Sequence, residues 1–550
     1  MSKRSASLAA SPPTPNPWLW AALLPLFAWV AWLYWPVTSG DFVADDYVFL
    51  ATARMVDAPW AAFWQSHFYE PYYFRPIGVI AWWVCGALFG LDYAAHSLVN
   101  LGLHLLNAAL LFALLRALAL RPSAVIAGVS LFALGPVTLA ATLWPSNRFD
   151  LLACGFLLAQ AIAMIRALHG SASALGFAML AALAACWSKE LAYPVATTLA
   201  CLALAASGAS WNRRICLFAA LGLAIGSAFL MRHLVVADAY ALAGAGPVAL
   251  VTEGSATLIS LLPRLTALAA GDVGALIIAL GLFGAFLLAL ASARGNTHSA
   301  RLGGKTWAAL LVLLAAFIVQ TPLAQNFALM LDGSAFGTVT FARFYYAPWL
   351  AASVVVALVL GQARRGNWVA FLAMGATIAS AAMQPSLPES FARWTRETIK
   401  PMAVAATEIV DVTVSREGAV DGCAFVLLGT QAQHPFFRMF SDVTVKARSA
   451  QLQKTRNCLV MTESTPWLFA LPADAPTVAP TAFSLRQIPG SNGATKPDSV
   501  WSSIRYRYRL PPNEVASLSA ARFFDWREGK FVEVTDQVRR GERKLTLHDW

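Results

Sequence analysis

The sequence has little charge, and the charge it has is unevenly divided. Of 550 residues, 13% are Asp, Glu, Lys or Arg and 58% are hydrophobic. Soluble domains carry about a quarter charged residues, so this balance excludes an ordinary soluble domain and predicts a polytopic membrane protein. Acidic residues number 29 against 40 basic ones, a formal net charge of +11. The basic residues lie mostly in short loops at the ends of apolar runs, which fits membrane orientation better than nucleic-acid binding.

Cysteine is also scarce, with seven residues in the chain. Five lie in apolar runs, where cysteine behaves as a small hydrophobe. Only Cys423 and Cys458 fall in the polar C-terminal part, and they are a candidate disulfide if that part is extracytoplasmic. No CxxC motif and no His/Cys metal spacing occurs, which argues against structural zinc. The first apolar run, Trp18–Trp35, lacks a convincing small-residue cleavage site, so we expect a retained span and not a signal peptide.

Apolar runs long enough to cross a bilayer recur through the first two thirds of the chain. They are Trp18–Trp35, Ala94–Leu118, Pro122–Leu139, Leu151–Leu168, Leu191–Ala206, Ile215–Val236, Val273–Ala293, Thr306–Pro322, Tyr345–Gly361 and Asn367–Met383. Leu175–Trp187 is shorter and is also expected to cross. Ile77–Gly90 is apolar over only about 14 residues, which favours an interfacial helix over a full crossing. Thr257–Ala270, interrupted by Pro263 and Arg264, indicates a second interfacial helix.

The distribution of positive charge predicts the orientation. If Ile77–Gly90 does not cross, the basic loops all face the cytoplasm: Arg116/Arg121, Arg166/His169, Arg213/Arg214, Arg294/Arg301/Lys305 and Arg364/Arg365. This choice gives about eleven spans with the C-terminus outside. The outer face then carries the first external loop, residues 37–93, and three shorter segments.

Residues 385–550 are mixed polar and apolar and contain no further apolar run of that length. A separate α/β domain of about 165 residues is expected there, following the transmembrane domain of residues 1–384. Within it we predict a helix at Phe391–Val414, strands at Cys423–Gly429 and Asp442–Ala447, and a hairpin at Phe523–Val534. None of its residues points to catalysis.

The first external loop contains the adjacent acids Asp45 and Asp46. Two neighbouring carboxylates beside a bilayer resist simultaneous ionisation, which favours a bound cation, a shared proton or a hydrogen-bonding substrate. A solvated acidic loop is the alternative. Arg75 follows the loop and opens the interfacial helix, where its guanidinium suits a lipid phosphate or anchors the interface beside aromatic residues.

Other polar residues occur at the edges of spans or inside them. His96, Asn100, His104 and Asn107 form one stripe of a helix, which favours interhelical hydrogen bonds over catalysis or metal binding. Four charged residues are expected at outer edges of the spans, either as local ion pairs and solvated helix ends or as site residues: Arg148, Asp150, Lys189 and Glu190. Arg343 precedes a Tyr-rich span start that includes Tyr346.

Six motifs in order, DDYVFL, FRPIGV, HSLVNLGLHLLNA, WPSNRFDLL, WSKELAYP and RFYYAPW, resemble membrane glycosyltransferases of the GT-C superfamily. The likeness is greatest to the protein O-mannosyltransferase and TMTC-like branch, and it covers about the first 350 residues. The chain departs from TMTC-like proteins in lacking the His-Pro and Glu that stand before the WPSNRFDLL-like motif and in carrying Ala342 where a Glu often stands.

The resemblance implies an α-helical GT-C-like fold and sugar transfer from a polyprenyl-phosphate donor to a protein, lipid or glycan acceptor. It implies Asp45 or Asp46 as general base and Asp150 as a second acid. Arg75, Lys189 and Arg343, with Arg148, would contact the donor phosphate. No cofactor is required by the motifs, and a divalent metal is left open. Composition predicts a bacterial inner membrane with a periplasmic site. A transporter or flippase of a lipid-linked saccharide and a catalytically silent scaffold of envelope assembly are the alternatives.

Overall fold

The structure is a computed structural model of the whole chain. It describes residues 20–21, 23–55, 58–64, 74–206, 209–235, 259–269, 272–273, 275–277, 280, 304–318, 320, 334–362, 366–382, 387–417, 424–429, 435–452, 459–462, 467–469, 486–487, 507–509 and 521–543. The predicted disulfide partners Cys423 and Cys458, and most of the predicted span Val273–Ala293, lie outside these residues.

The N-terminal part of the described chain is helical. Its helices are α1 (Leu23–Tyr34), α2 (Asp45–Met55), α3 (Pro76–Phe89), α4 (Tyr93–Ala117), α5 (Pro122–Ala133), α6 (Pro136–Thr142), α7 (Arg148–Leu168), α8 (Ala172–Cys186), α9 (Ala192–Ala205), α10 (Trp211–Val235), α11 (Ile259–Ala269), α12 (Gly304–Ile318), α13 (Ala335–Gln362) and α14 (Gly366–Ala382). Short 3-10 turns cover Trp35–Ser39, Pro59–Phe63 and Pro145–Asn147.

By length and composition, four helices of the described residues are apolar enough to cross a membrane: α4, the segment Pro145–Leu168 that contains α7, α10 and α13. The pair α5 and α6 makes a fifth candidate if it counts as one broken span. Several shorter apolar helices accompany them, among them α3, α8, α9, α11 and α12. The chain is therefore a helical membrane protein.

The predicted span Pro122–Leu139 is a bent helix pair in the structure, because α5 and α6 meet at an angle of 49°. Gly135 and Pro136 lie at the break, and proline cannot donate a backbone hydrogen bond inside a helix. The hydroxyl of Thr138 donates to the carbonyl of Phe132 at 2.5 Å and so satisfies a group that the break exposes. The bend brings the end of α6 toward the Pro145–Asn147 turn, where α7 begins.

The C-terminal part combines helices with two small sheets. Its elements are α15 (Leu387–Trp394), a π-helical turn (Thr395–Ile399), α16 (Lys400–Glu417), β1 (Ala424–Leu428), α17 (Pro435–Arg448), β2 (Leu459–Thr462), β3 (Trp467–Phe469), β4 (Arg486–Gln487), β5 (Arg507–Arg509), β6 (Ala521–Arg527), β7 (Lys530–Glu533) and α18 (Thr535–Arg539). One sheet has the order β2-β1-β6-β7, with β1 parallel to β2 and β6. The other is antiparallel, in the order β3-β5-β4.

The predicted hairpin is present in β6 and β7, where Glu528 and Gly529 both have positive φ. The predicted strand Asp442–Ala447 is wrong, because these residues form the end of α17. Val443 and Ala447 pack into the core of the membrane part, whereas Val445 packs into the core of the C-terminal part. A helix buried on both sides imitates the alternation of a strand, and parallel strands β1 and β2 require such a crossover helix.

Candidate functional site

Six of the predicted site residues form one group, which we call the charged cluster: Asp45, Arg75, Asp150, Lys189, Glu190 and Arg343. Most of them lie at helix ends. Asp45 begins α2, Arg75 precedes α3, and Lys189 and Glu190 lie in the turn between α8 and α9. The backbone N–H of Ile77 donates to the carbonyl of Trp187 at 3.1 Å, which ties the start of α3 to that turn.

The side-chain carboxylate of Asp45 forms no hydrogen bond or ion pair with any residue that the structure describes, although it is largely enclosed. Burial raises the pKa of its carboxyl, while the nearby guanidinium groups of Arg343 and Arg75 oppose the rise. A carboxylate with a raised pKa and no hydrogen-bond partner among the described residues is suited to accept a proton.

Arg75 is held against Glu190 by two contacts from its guanidinium, at 2.8 Å from Nε and 2.7 Å from Nη2 to the same carboxylate oxygen. It also lies over the ring of Phe149, 5.4 Å from the centroid. The exposed fractions of the Arg75 and Glu190 side chains are 13% and 27%. The pair therefore reaches the surface of the cluster, where an added anion could compete with Glu190 for Arg75.

Lys189 forms an ion pair with Asp150, the residue in the first turn of α7. The pKa of Lys189 is lowered to about 8, mainly by burial and also by the charges of Arg75 and Arg343, whereas Asp150 opposes the fall. The second carboxylate oxygen of Asp150 is buried with no hydrogen-bond partner among the described residues. The predicted alternative of a local Arg148–Asp150 ion pair is wrong, because Asp150 pairs with Lys189 instead.

Asp46 lies beside Asp45 but in a different environment. It is fully buried, accepts a hydrogen bond from the hydroxyl of Ser146 at 2.5 Å, and accepts another from the backbone N–H of Val43 at 3.0 Å. Burial raises its pKa to about 7, while these two hydrogen bonds oppose the rise. Asp46 thus joins the residues just before α2 to the Pro145–Asn147 turn.

The stripe on α4 makes hydrogen bonds between helices and does not join the charged cluster. Asn100 donates to the carbonyl of Trp144 at 2.9 Å, and Asn107 donates to that of Leu151 at 2.9 Å. The Nδ1 atom of His104 lies 3.0 Å from the phenol oxygen of Tyr346. His96 contacts the carbonyl of Gly90 at 3.2 Å. All the stripe residues are buried.

Arg148 differs from the expectation of an exposed phosphate contact. It is fully buried, donates to Asn100 at 3.1 Å and to the carbonyl of His96 at 3.0 Å, and lies 4.5 Å over the ring of Trp82. Helix α7 begins at Arg148 itself, so its side chain packs against α4 and not at a loop edge.

Arg343 was expected just ahead of a span, but α13 begins at Ala335 and includes it. Its guanidinium lies 5.5 Å from the Trp144 ring centroid and 5.0 Å from that of Phe344. Arg343 lies partly exposed within a continuous helix. Its charge is still close enough to lower the pKa values of Asp45 and Lys189.

Three residues of this region were not singled out from the sequence. Ser146 holds Asp46, Phe149 supports Arg75, and Arg448 contacts the first external loop from the C-terminal part. Ser146 and Phe149 lie within the WPSNRFDLL motif and could have been noticed there. Nothing in the sequence around Arg448 distinguishes it.

Within the described part of the chain, no group of three or more His, Cys, Asp or Glu residues could hold a metal ion. The sequence matches no protein-family model, and no curated protein matches it. Function is therefore inferred from the geometry of the charged cluster.

Proposed function

We propose that the chain is a membrane glycosyltransferase of the GT-C type. It transfers a sugar, with inversion, from a polyprenyl-phosphate donor to a hydroxyl group of a protein, lipid or glycan. The observation that carries the proposal is Asp45, a carboxylate without a hydrogen bond to described residues, enclosed beside Arg75 and Arg343. An acceptor hydroxyl needs such a base, and a phosphate leaving group needs such cations.

In the proposed reaction, the acceptor oxygen bonds to the anomeric carbon while its proton passes to Asp45. The bond from that carbon to the phosphate oxygen breaks, and the phosphate leaves with the electron pair. Arg75, Arg343 and Lys189 stabilise the departing negative charge. Asp46, already engaged by Ser146 and Val43, holds the loop.

We also propose the number of membrane spans and the side of the membrane on which the site lies. The membrane part has about eleven spans in a GT-C arrangement. The charged cluster and the C-terminal domain face the periplasm of a bacterial inner membrane, where that domain helps to select the acceptor.

The proposal is tested with purified protein in lipid nanodiscs and a radiolabelled polyprenyl-phosphate hexose. Asp45→Asn is expected to lower turnover by roughly two to four orders of magnitude, the usual contribution of a general base, with little change in melting temperature. Asp92→Asn is the matched control. It makes the same change in the same loop, and asparagine caps α4 as aspartate does. Wild-type turnover in Asp45→Asn would reject the assignment of the base.

A further inference from the structure

Arg448, the last residue of α17, contacts the first external loop on both sides of the acid pair. Its Nη2 donates to the carboxylate of Asp41 at 2.8 Å and to the hydroxyl of Tyr47 at 3.0 Å. Its Nε lies 3.3 Å from the same hydroxyl, and the guanidinium lies 5.5 Å from the Tyr47 ring centroid. Because Asp41 precedes Asp45 and Tyr47 follows Asp46, one side chain holds both flanks of the pair.

The C-terminal part holds Asp41 at further points. The backbone N–H of Asp41 donates to the hydroxyl of Thr395 at 2.9 Å, and Lys400 lies 3.8 Å from its carboxylate. Gly40 comes so close to Thr395 that a Cβ there would lie 2.8 Å from the threonine hydroxyl. Asp41 is 3% exposed, so these contacts are made inside the protein.

The turn between Asp41 and the acid pair is strained. Ala44 has a φ of 52°, in the left-handed region that an L-residue other than glycine rarely adopts. Such a conformation persists only where its surroundings impose it. Arg448 and Thr395 fix the chain before this turn, and the hydrogen bonds of Asp46 to Ser146 and Val43 fix it afterwards.

The position of Arg448 is set in part by contacts inside the C-terminal part. The hydroxyl of the next residue, Ser449, contacts the carboxylate of Asp411 on α16 and accepts a hydrogen bond from the backbone N–H of Leu452 at 2.9 Å. Val445 of the same helix lies in the C-terminal core. Helix α17 also packs against α2, which begins at Asp45, so the guanidinium is presented to the loop by a helix anchored on one side in the C-terminal core and on the other beside the acid pair.

We propose that Arg448 is a positioning residue through which the C-terminal domain holds Asp45 and Asp46 in place. The conformational part of this inference needs no enzyme activity. Its catalytic consequence rests on the proposed function, because only then does the position of Asp45 determine turnover.

Hydrogen–deuterium exchange of the full-length protein tests the conformational part. In Arg448→Gln, amides of residues 41–50 are expected to exchange roughly tenfold faster, because charge-assisted hydrogen bonds to the loop are lost. The segment 424–428 of β1 should keep its wild-type rate. Lys446→Gln is the matched control, since Lys446 lies on the same helix but pairs with Asp442 of its own domain at 2.8 Å. Wild-type exchange of residues 41–50 in Arg448→Gln overturns the inference.

A second variant covers the case in which Arg448→Gln unfolds the C-terminal domain and β1 also exchanges faster. Tyr47→Phe removes only the hydroxyl that accepts from Arg448. It should raise exchange at residues 41–50 by a smaller factor, with β1 unchanged. Wild-type exchange at 41–50 in this variant would then overturn the inference.

Turnover of polyprenyl-phosphate hexose tests the catalytic part. Arg448→Gln should lower kcat by roughly tenfold or more through misplacement of the base, with the donor KM near the wild-type value because the cluster cations remain. A raised KM with unchanged kcat would contradict positioning of the base. If the wild-type protein shows no turnover, the proposed function fails, while the exchange experiment still decides whether Arg448 positions the loop.

Discussion

The adjacent residues Asp45 and Asp46 show how environment assigns different roles to identical side chains. Both carboxyl groups have raised pKa values because both are enclosed. The two carboxylate oxygens of Asp46 accept hydrogen bonds from Ser146 and Val43, whereas the carboxylate of Asp45 has no such partner within the described chain. Paired acids that differ in this way commonly divide into one chemical and one supporting group.

The pKa of Asp46 predicts a dependence of stability on pH. Its value in the folded protein is about 7, against an ordinary value of 3.8. Between those values the folded protein retains a proton that the unfolded chain has lost, so stability is greatest below the lower pKa and falls as pH rises toward 7. We expect the melting temperature of the wild type to decrease from pH 5 to pH 7.5, through a loss on the order of 2 kcal/mol from this group.

Asp46→Asn should be less stable than the wild type at pH 5, because one amide cannot replace both hydrogen bonds, and its stability should vary less with pH. The lowered pKa of Lys189, about 8 instead of 10.5, affects stability at pH values above the range from 5 to 7.5. Thermal unfolding of both proteins at the two pH values makes the measurement, with Asp92→Asn as control. A difference between wild type and Asp46→Asn that is constant with pH would contradict the prediction.

At the scale of elements, the approach of α3 to α7 determines where Arg75 lies. Gly78 on α3 faces Phe149 so closely that an added Cβ would lie 2.0 Å from its ring. Phe149 also packs against Phe49 of α2, with ring centroids 4.9 Å apart. One glycine therefore allows three helices to meet next to the charged cluster.

Gly78→Ala is expected to destabilise the protein by about 1 to 3 kcal/mol, the usual cost of overpacking, and to lower turnover because Arg75 moves with α3. Thermal unfolding and the radiolabel assay measure the two effects. Gly102→Ala is the control, since a Cβ there meets nothing within 4 Å. Equal stability of the two variants would contradict this prediction, because it would show that α3 can move away from Phe149 without a loss in the free energy of unfolding.

Most helix positions follow from the apolar runs, because hydrophobic length is visible in the sequence. The features that the sequence does not predict have local causes. Helix α13 begins ten residues before the predicted span at Tyr345, in a stretch rich in threonine that is buried by its neighbours. The hydroxyl of Ser334 accepts a hydrogen bond from the backbone N–H of Gly337 at 2.9 Å, as a serine at a helix N-cap does. Ion pairs such as Lys189–Asp150 join residues from separate helices, and no single-sequence pattern specifies which partners meet.

At the scale of the whole molecule, the charged cluster and the predicted cytoplasmic loops lie at opposite ends of the same helices. Helix α7 starts two residues before Asp150 and ends beside Gly170. The guanidinium of Arg213 lies so close to Gly170 that a Cβ added there would be 3.2 Å from it. Other basic residues of this second end reach helix C-termini. Lys305 donates to the carbonyl of Leu118 at 2.9 Å, and Arg121 donates to that of Gly361 at 2.9 Å. Cations near helix C-termini are favourable because of the helix dipole.

This arrangement makes the predicted orientation testable with two single cysteines, in a background where the seven native ones are replaced. Ser173 at the start of α8 and Glu389 on α15 are both exposed. The positive residues at the α8 end predict that it faces the cytoplasm. In intact spheroplasts, a membrane-impermeant maleimide should therefore label Glu389→Cys but label Ser173→Cys only after permeabilisation. Because both positions belong to one molecule, the reverse result would place the charged cluster on the cytoplasmic side and exclude a periplasmic acceptor.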